Sequence, residues 1–146
     1  MEGQRLCADI LDRYAGLDEA RLDAMLREEL DKVQTKIVVL DDDPTGVQTV
    51  HGVSVYTDLS RKSIRQGLLE EKNLFYLLTN SRSFTEEQTI AVHEKLAREI
   101  AEAAEEEKIP YMIMSRSDST LRGHYPAETE TLKRIVEGYA PAYSMR

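Results

Sequence analysis

The sequence predicts an α/β fold, a layered and Rossmann-like parallel sheet preceded by a pair of helices. Short apolar runs of four or five residues alternate with longer segments whose apolar residues recur at helical spacing. The short runs are rich in β-branched and aliphatic residues, as are strands buried on both faces of a parallel sheet. Strands that alternate with helices favour parallel pairing, with the helices as crossover connections.

The strands are predicted over residues 37–40, 53–56, 74–78 and 111–114. Ser60 is expected to cap a short helix over 61–71, and the residues expected to face inward are Ile64, Leu68 and Leu69. Thr85 opens a longer helix that ends near residue 108, because Gln88 follows it at capping-box spacing. A last helix is predicted with Pro126 as an early residue, and its apolar face comprises Leu132, Ile135, Val136 and Tyr139.

The first 32 residues predict two short helices, separated by Gly16, with Asp18 as the N-cap of the second. Each has an apolar face, formed by Leu6, Ile10, Leu11 and Tyr14 in the first and by Leu22, Met25, Leu26 and Leu30 in the second. We therefore divide the chain into an N-terminal helical extension, 1–32, and a main domain, 36–146. The extension or an exposed domain face could support an oligomer.

Composition excludes several classes of protein. The net charge of −8 argues against binding to a nucleic-acid backbone. The apolar runs are far shorter than the ~20 residues that cross a bilayer, and the N-terminus does not resemble a secretory signal. One cysteine permits no internal disulfide and, with three histidines, suggests no Cys/His metal site. A cytoplasmic location is the expectation.

Polar segments follow three of the predicted strands, at residues 41–46, 79–82 and 115–123. In parallel sheets ligands bind at the carboxyl ends of the strands, near a switch in strand order. The three segments are therefore expected to meet at one edge of the sheet and form a binding site.

The first segment contains three consecutive carboxylates, Asp41, Asp42 and Asp43, followed by a turn. Side chains alternate along an extended backbone, so Asp41 and Asp43 are expected to face one way and Asp42 the other. Crowded carboxylates repel one another, which raises one pKa or recruits a cation or the hydroxyl groups of a substrate. Thr45 and Gly46 belong to the turn, and Thr45 could cap a helical turn directly after it. The alternative is a solvated acidic turn.

The third segment combines acid, hydroxyl and guanidinium groups with a glycine, and its candidate residues are Arg116, Asp118, Ser119, Thr120, Arg122 and Gly123. Arginine binds carboxylates in a planar, bidentate geometry, so an acidic ligand is plausible on an acidic chain. The acids would bind sugar hydroxyl groups and the arginines the acid end of the ligand. A structural loop in which Arg122 pairs with Asp118 is the alternative. Arg82 could add an anion contact or stabilise its own loop.

The three histidines are assigned no function. His51 and His124 are expected to be structural, and His93, in the middle of a predicted helix, is expected at the surface.

These motifs resemble the N-terminal, sugar-binding domain of the four-carbon acid sugar kinase family. The family has an acidic-pair-x-Thr-Gly turn and a basic-x-Asp-Ser-Thr-Leu-Arg-Gly loop, which stand here at residues 42–46 and 116–123. The segment Thr-Asn-Ser-Arg at 79–82 is similar to its Thr-x-Ser-Arg element. The resemblance covers about residues 36–137, and the second motif is long and specific.

The resemblance implies ATP-dependent phosphorylation of a terminal hydroxyl of threonate, erythronate or an oxo-tetronate. One acid of Asp42 and Asp43 would orient or deprotonate that hydroxyl, with Asp43 the first choice because it lies nearer the turn. ATP and Mg²⁺ would be bound mainly by a C-terminal nucleotide-binding domain, so no metal site is assigned to this chain. The chain contains no phosphate-binding glycine loop, and we expect it to be a fragment that is inactive alone. Only residues 47–52 separate the acidic turn from the next strand, so the family's first crossover helix is at most a stub.

Two other functions are compatible with parts of the sequence. A magnesium-dependent phosphatase of the haloacid dehalogenase type would use Asp41 as nucleophile and Asp43 as acid/base, since Asp-x-Asp-x-Thr follows the first strand. That interpretation leaves the segment 118–123 unexplained. A non-catalytic binding module is the other alternative.

Overall fold

A computed structural model describes residues 16, 18–118 and 122–139, in two compact units, Met1–Val33 and Gln34–Arg146. In the first unit, helix α1 spans Glu19–Lys32. Asp18 is its N-cap as predicted, since an Asp18 oxygen accepts a hydrogen bond from the Arg21 N–H at 3.1 Å. None of the side chains of α1 is buried within the described residues. The predicted helix that would precede it lies outside the described residues.

The second unit contains a sheet of four parallel strands, which confirms the predicted α/β class. The strands are β1 (Lys36–Asp41), β2 (Ser54–Tyr56), β3 (Leu74–Leu78) and β4 (Tyr111–Arg116), in the order β2-β3-β1-β4. The central strand β1 pairs with β3 on one side and with β4 on the other. This order places the carboxyl end of β1 between the carboxyl ends of β3 and β4.

The helices α2 (Arg61–Leu69), α3 (Glu86–Glu107) and α4 (Ala127–Tyr139) begin at or near the predicted positions. Ser60 caps α2, and Thr85 with Gln88 forms a complete capping box at the start of α3. Pro126 immediately precedes α4 instead of lying within its first turn. No helix in the described part of the chain is long and apolar enough to span a membrane.

One face of the sheet packs against these three helices. Val38 and Leu40 of β1 and Phe75 and Leu77 of β3 point to this face, as the two-residue period of a strand requires. The helices contribute the other buried members of the core, which are Ile64, Leu68, Leu96, Ala97, Ile100, Ala103, Ala104, Leu132 and Ile135.

The connection from β1 to β2 contains only a short 3₁₀ turn, Gly46–Thr49, which agrees with the predicted lack of a crossover helix. On the sheet face opposite the three helices, Met112 and Met114 of β4 and Val55 of β2 are each at least 40% exposed. The second layer therefore consists of α2, α3 and α4 on one side of the sheet.

Two side chains lie opposite to their predicted positions. Leu69, expected inside, is 51% exposed at the end of α2. His93, expected at the surface, is 2% exposed, and its Nδ1 lies 2.8 Å from the carbonyl oxygen of Thr89. His93 lies one turn before Leu96 and Ala97, so it belongs to the buried stripe of α3, and the local hydrogen bond makes its burial tolerable.

Replacement by alanine should have opposite effects on stability at two glycines that lie in helices. A Cβ on Gly67 in α2 would lie 2.4 Å from the buried Phe75 ring, whereas a Cβ on Gly138 in α4 would contact nothing within 4 Å. We expect Gly67→Ala to lower the free energy of unfolding by about 1–3 kcal/mol through overpacking. Gly138→Ala should raise it by up to about 1 kcal/mol through helix propensity. Urea unfolding followed by circular dichroism measures both, and equal effects would contradict the packing argument.

Candidate functional site

The candidate site lies at the carboxyl ends of β1, β3 and β4. The chain leaves β1 toward the β2–β3 side of the sheet, while β4 lies on the other side, so the order switches between β1 and β4. Ligands of parallel α/β sheets bind at such a switch point. The pairing of β1 with β4 brings residues 41–43 beside residues 115–118. The Asp42 N–H donates a backbone hydrogen bond to the Arg116 carbonyl oxygen at 3.3 Å.

Asp41 is buried and held by internal contacts. Its Oδ1 accepts hydrogen bonds at 3.2 Å from the Arg116 guanidinium and from the Asp43 N–H. Its carboxylate lies directly over Gly46, where an added Cβ would come within 1.9 Å of Oδ2. Burial raises the pKa of Asp41, while the Asp43 N–H and the charge of Arg116 oppose that increase. Asp41 therefore acts as a structural anchor of the acidic turn.

Asp42 is similarly buried, at 2% exposure, and like Asp41 it has a hydrogen-bond partner on only one carboxylate oxygen among the described residues. Oδ2 accepts a hydrogen bond from the Asp118 N–H at 2.7 Å, whereas Oδ1 has no hydrogen-bond partner among the described residues. Burial raises the pKa of Asp42, and the charges of Glu128 and Asp118 raise it further. A buried acceptor without a partner is costly, so it marks a position that a ligand donor could fill.

Asp43 lies in the opposite environment, at the start of the turn. Its Oδ1 accepts the Thr45 N–H at 2.9 Å, and its Oδ2 pairs with the Arg82 guanidinium. The hydrogen bond from Thr45 lowers the pKa of Asp43, helped by the charge of Arg82. The Thr45 hydroxyl makes no capping bond to the following turn, so the predicted cap at Thr45 is not formed.

Arginines from two loops converge on Asp118. Its Oδ2 lies 2.7 Å from Arg122 and 3.8 Å from Arg82, so the Arg122–Asp118 pair expected of a structural loop is formed. The side chains of Arg116 and Arg122 are 43% and 60% exposed. Both guanidiniums are therefore accessible at the edge that carries the aspartates.

The glycine and histidine of this loop have structural contacts. A Cβ on Gly123 would lie 2.4 Å from the Asp118 carbonyl oxygen, so the close approach of these two backbone segments requires glycine. His124 Nε2 lies 3.0 Å from the Phe84 carbonyl oxygen, which joins the loops that follow β3 and β4. His51 is exposed. The predicted site residues Ser119 and Thr120 lie outside the described residues.

Glu128 is not among the predicted site residues, yet the structure places it at this edge. It lies in the first turn of α4 and is 1% exposed. Its Oε2 accepts a hydrogen bond from the Ser115 hydroxyl at 3.4 Å, and its Oε1 has no partner among the described residues. The sequence does contain a signal for this position, because Glu128 precedes Leu132 by four residues and Ile135 by seven, on the same apolar stripe.

The many carboxylates do not form a metal site within residues 16, 18–118 and 122–139. No group of three or more His, Cys, Asp or Glu side chains there has an arrangement that could hold a metal ion. The Mg²⁺ expected of a kinase therefore does not fit these residues alone.

Comparison with known proteins identifies a matching family. A family model described as "Sugar-binding N-terminal domain" matches residues 37–143, which include all three polar segments. Searches of the curated proteins and of the solved structures returned no match.

Proposed function

The chain belongs to the sugar-binding N-terminal domain family of four-carbon acid sugar kinases, and from this premise we propose that it binds a four-carbon sugar acid at the carboxyl ends of β1 and β4. The ligand would be a threonate- or erythronate-like acid in the cytoplasm. The observation that carries this proposal is the buried Asp42 Oδ1, an acceptor without a partner among the described residues, beside two exposed arginines.

The two kinds of charged group suit the two ends of such a ligand. A hydroxyl group donates one hydrogen bond, and a carboxylate oxygen can only accept, so Asp42 suits the hydroxyl end. Arg116 and Arg122 suit the acid end, since guanidinium groups form paired hydrogen bonds with carboxylates. Arg82 is 22% exposed and lies between Asp43 and Asp118, which favours a role in holding the loops together.

We further propose that the complete enzyme phosphorylates the terminal hydroxyl of this ligand. Asp42 is the better of the two candidates to orient or deprotonate that hydroxyl, because one of its oxygens has no hydrogen-bond partner among the described residues and burial raises its pKa. Both oxygens of Asp43 have partners, and its pKa is lowered. ATP and Mg²⁺ would be supplied by a nucleotide-binding domain, so the residues of this chain contribute substrate positioning and proton acceptance.

Arg122→Gln is expected to weaken binding of a sugar acid selectively. Loss of one charged hydrogen-bonding partner should raise the Kd for threonate or erythronate about tenfold or more, and should leave the Kd for erythritol, a neutral four-carbon polyol, within about twofold. Titration calorimetry and ligand-induced shifts in Tm measure these affinities.

Arg134→Gln is the matched control, because Arg134 is similarly exposed and paired with Glu94, but lies on α4. The sugar-acid assignment would be overturned if no four-carbon acid stabilised the folded chain. Equal losses for threonate and erythritol would refute the role of Arg122. The kinase step is tested by ADP release from MgATP with a sugar acid, using the protein that joins this domain to a nucleotide-binding domain.

A further inference from the structure

Glu128 is a buried acid that the proposed site does not yet use. Its side chain is 1% exposed, although it lies in the first turn of α4, where a glutamate normally reaches solvent. Burial of a carboxylate oxygen without a partner costs free energy. The single hydrogen bond to Ser115, at 3.4 Å, is long and leaves Glu128 Oε1 unoccupied among the described residues.

The sheet directs Asp42 and Glu128 to the same side. Leu40 and Ser115 are register partners on β1 and β4, and Leu40 points into the core formed with the helices. Asp42 follows Leu40 by two residues, so alternation along the chain directs it to that face as well. Ser115 also contacts Glu128 from this face. The charge of Glu128 also contributes to the raised pKa of Asp42, after the larger effect of burial.

Each of the two carboxylates therefore presents one buried acceptor oxygen that is unoccupied among the described residues, Asp42 Oδ1 and Glu128 Oε1. One hydroxyl group carries one proton and satisfies only one of them. A ligand that satisfies both must supply two donors.

We propose that Glu128 is a second hydroxyl-binding residue, so that the site selects sugar acids with two hydroxyl groups, one hydrogen-bonded to Asp42 and the other to Glu128. This inference rests on the proposed function and adds a specificity determinant to it. Sugar acids with a single hydroxyl would leave one buried carboxylate oxygen without a donor and bind more weakly.

The test compares ligands that differ by one hydroxyl group, 4-hydroxybutanoate and 3,4-dihydroxybutanoate, with threonate as the positive reference. The wild-type chain should bind the two-hydroxyl acid about ten- to a hundredfold more tightly than the one-hydroxyl acid. Glu128→Met keeps a similar volume without an oxygen, and should reduce that ratio to within about threefold. Glu128→Gln, with a neutral acceptor, should give an intermediate ratio.

Two controls separate binding from structure. Ser115→Ala removes the hydrogen bond that joins Glu128 to β4 but keeps the Glu128 carboxylate. The ratio of the affinities for the two-hydroxyl and one-hydroxyl acids should therefore stay at its wild-type value. Glu130→Gln changes an exposed acid in the same helical turn and should have no effect. If Glu128→Met is unfolded, Glu128→Gln carries the test.

The inference is overturned, with the proposed function intact, if the wild type binds sugar acids and the folded Glu128 variants retain the wild-type ratio. It is overturned together with the proposed function if no sugar acid binds the wild type.

Discussion

Replacing Asp42 by Asn is expected to stabilise the domain at neutral pH and to weaken binding of sugar acids at least tenfold. Asp42 is buried beside other acids, and its pKa is raised in the folded protein. A carboxyl group of this kind contributes to stability below its ordinary pKa of 3.8, and that contribution is lost as the pH rises through the folded-state pKa. Asparagine does not ionise, so the variant does not lose this stability as the pH rises, and its side-chain oxygen can still accept the hydrogen bond from the Asp118 N–H.

The stability difference between Asp42→Asn and the wild type should therefore grow as the pH is raised from about 4 to 7. Asp43→Asn is the matched comparison, because the pKa of Asp43 is lowered and its contribution is present above the ordinary value. That variant should be less stable than the wild type at about pH 7, with the difference shrinking on acidification. Urea unfolding measured from about pH 7 to below the ordinary Asp pKa of 3.8 gives both stability differences, because the contribution of Asp43 is lost only below that value. Stability differences of the same sign at about pH 7 would contradict the assigned environments.

Gly46→Ala should damage both stability and binding. The new methyl group would come 1.9 Å from Asp41 Oδ2, and Asp41 is buried with its other oxygen held by Arg116 and the Asp43 N–H. Either the carboxylate or the turn must move. We expect the free energy of unfolding to fall by about 1–3 kcal/mol and the Kd for sugar acids to rise about tenfold, because Asp42 and Asp43 move with the turn.

A double-mutant cycle with Asp41→Ala isolates the cause. Removing the Asp41 carboxylate makes room for the methyl group, so Gly46→Ala should cost less in the Asp41→Ala background than in the wild type. Additive effects would show that the clash with Asp41 is not what destabilises Gly46→Ala.

The position of Asp41 also bears on the phosphatase alternative. In that mechanism Asp41 attacks phosphorus, which requires an accessible carboxylate oxygen. Here Asp41 is 1% exposed, with one oxygen bonded to Arg116 and the other against Gly46. The family match independently assigns residues 37–143 to sugar-binding domains.

The sequence predicts the sheet well because the strands of a parallel sheet are continuous apolar runs. The strand predicted over residues 74–78 matches β3 without change. The capping residues Ser60 and Thr85 are also identified correctly, because their partners lie three residues away and hydrogen bonds at this range are local. The positions of the three polar segments at one sheet edge follow from the same strand pattern.

The errors include an apolar residue at a helix end, Leu69, and a polar residue on an apolar stripe, His93. Residue type favours the surface for His93, although it occupies a buried position of α3, and Glu128, about which no prediction is made, is buried in α4 in the same way. The pairing of Arg116 with Asp41 and of Arg82 with Asp43 could not be derived, because it depends on contacts between residues 75 and 39 positions apart in the chain. The proposed preference for Asp42 over Asp43 likewise rests on burial, which neighbouring residues in the sequence do not specify.

The strand order has a consequence for how the protein is made. During synthesis β1 emerges early, but both of its partners, β3 and β4, come later, and β4 begins only at Tyr111. Until then the apolar run 37–40 has no partner on the β4 side, and a parallel sheet with such distant pairing folds slowly. The nascent chain therefore has an extended period in which aggregation competes with folding, and chaperone supply should affect the yield of folded protein.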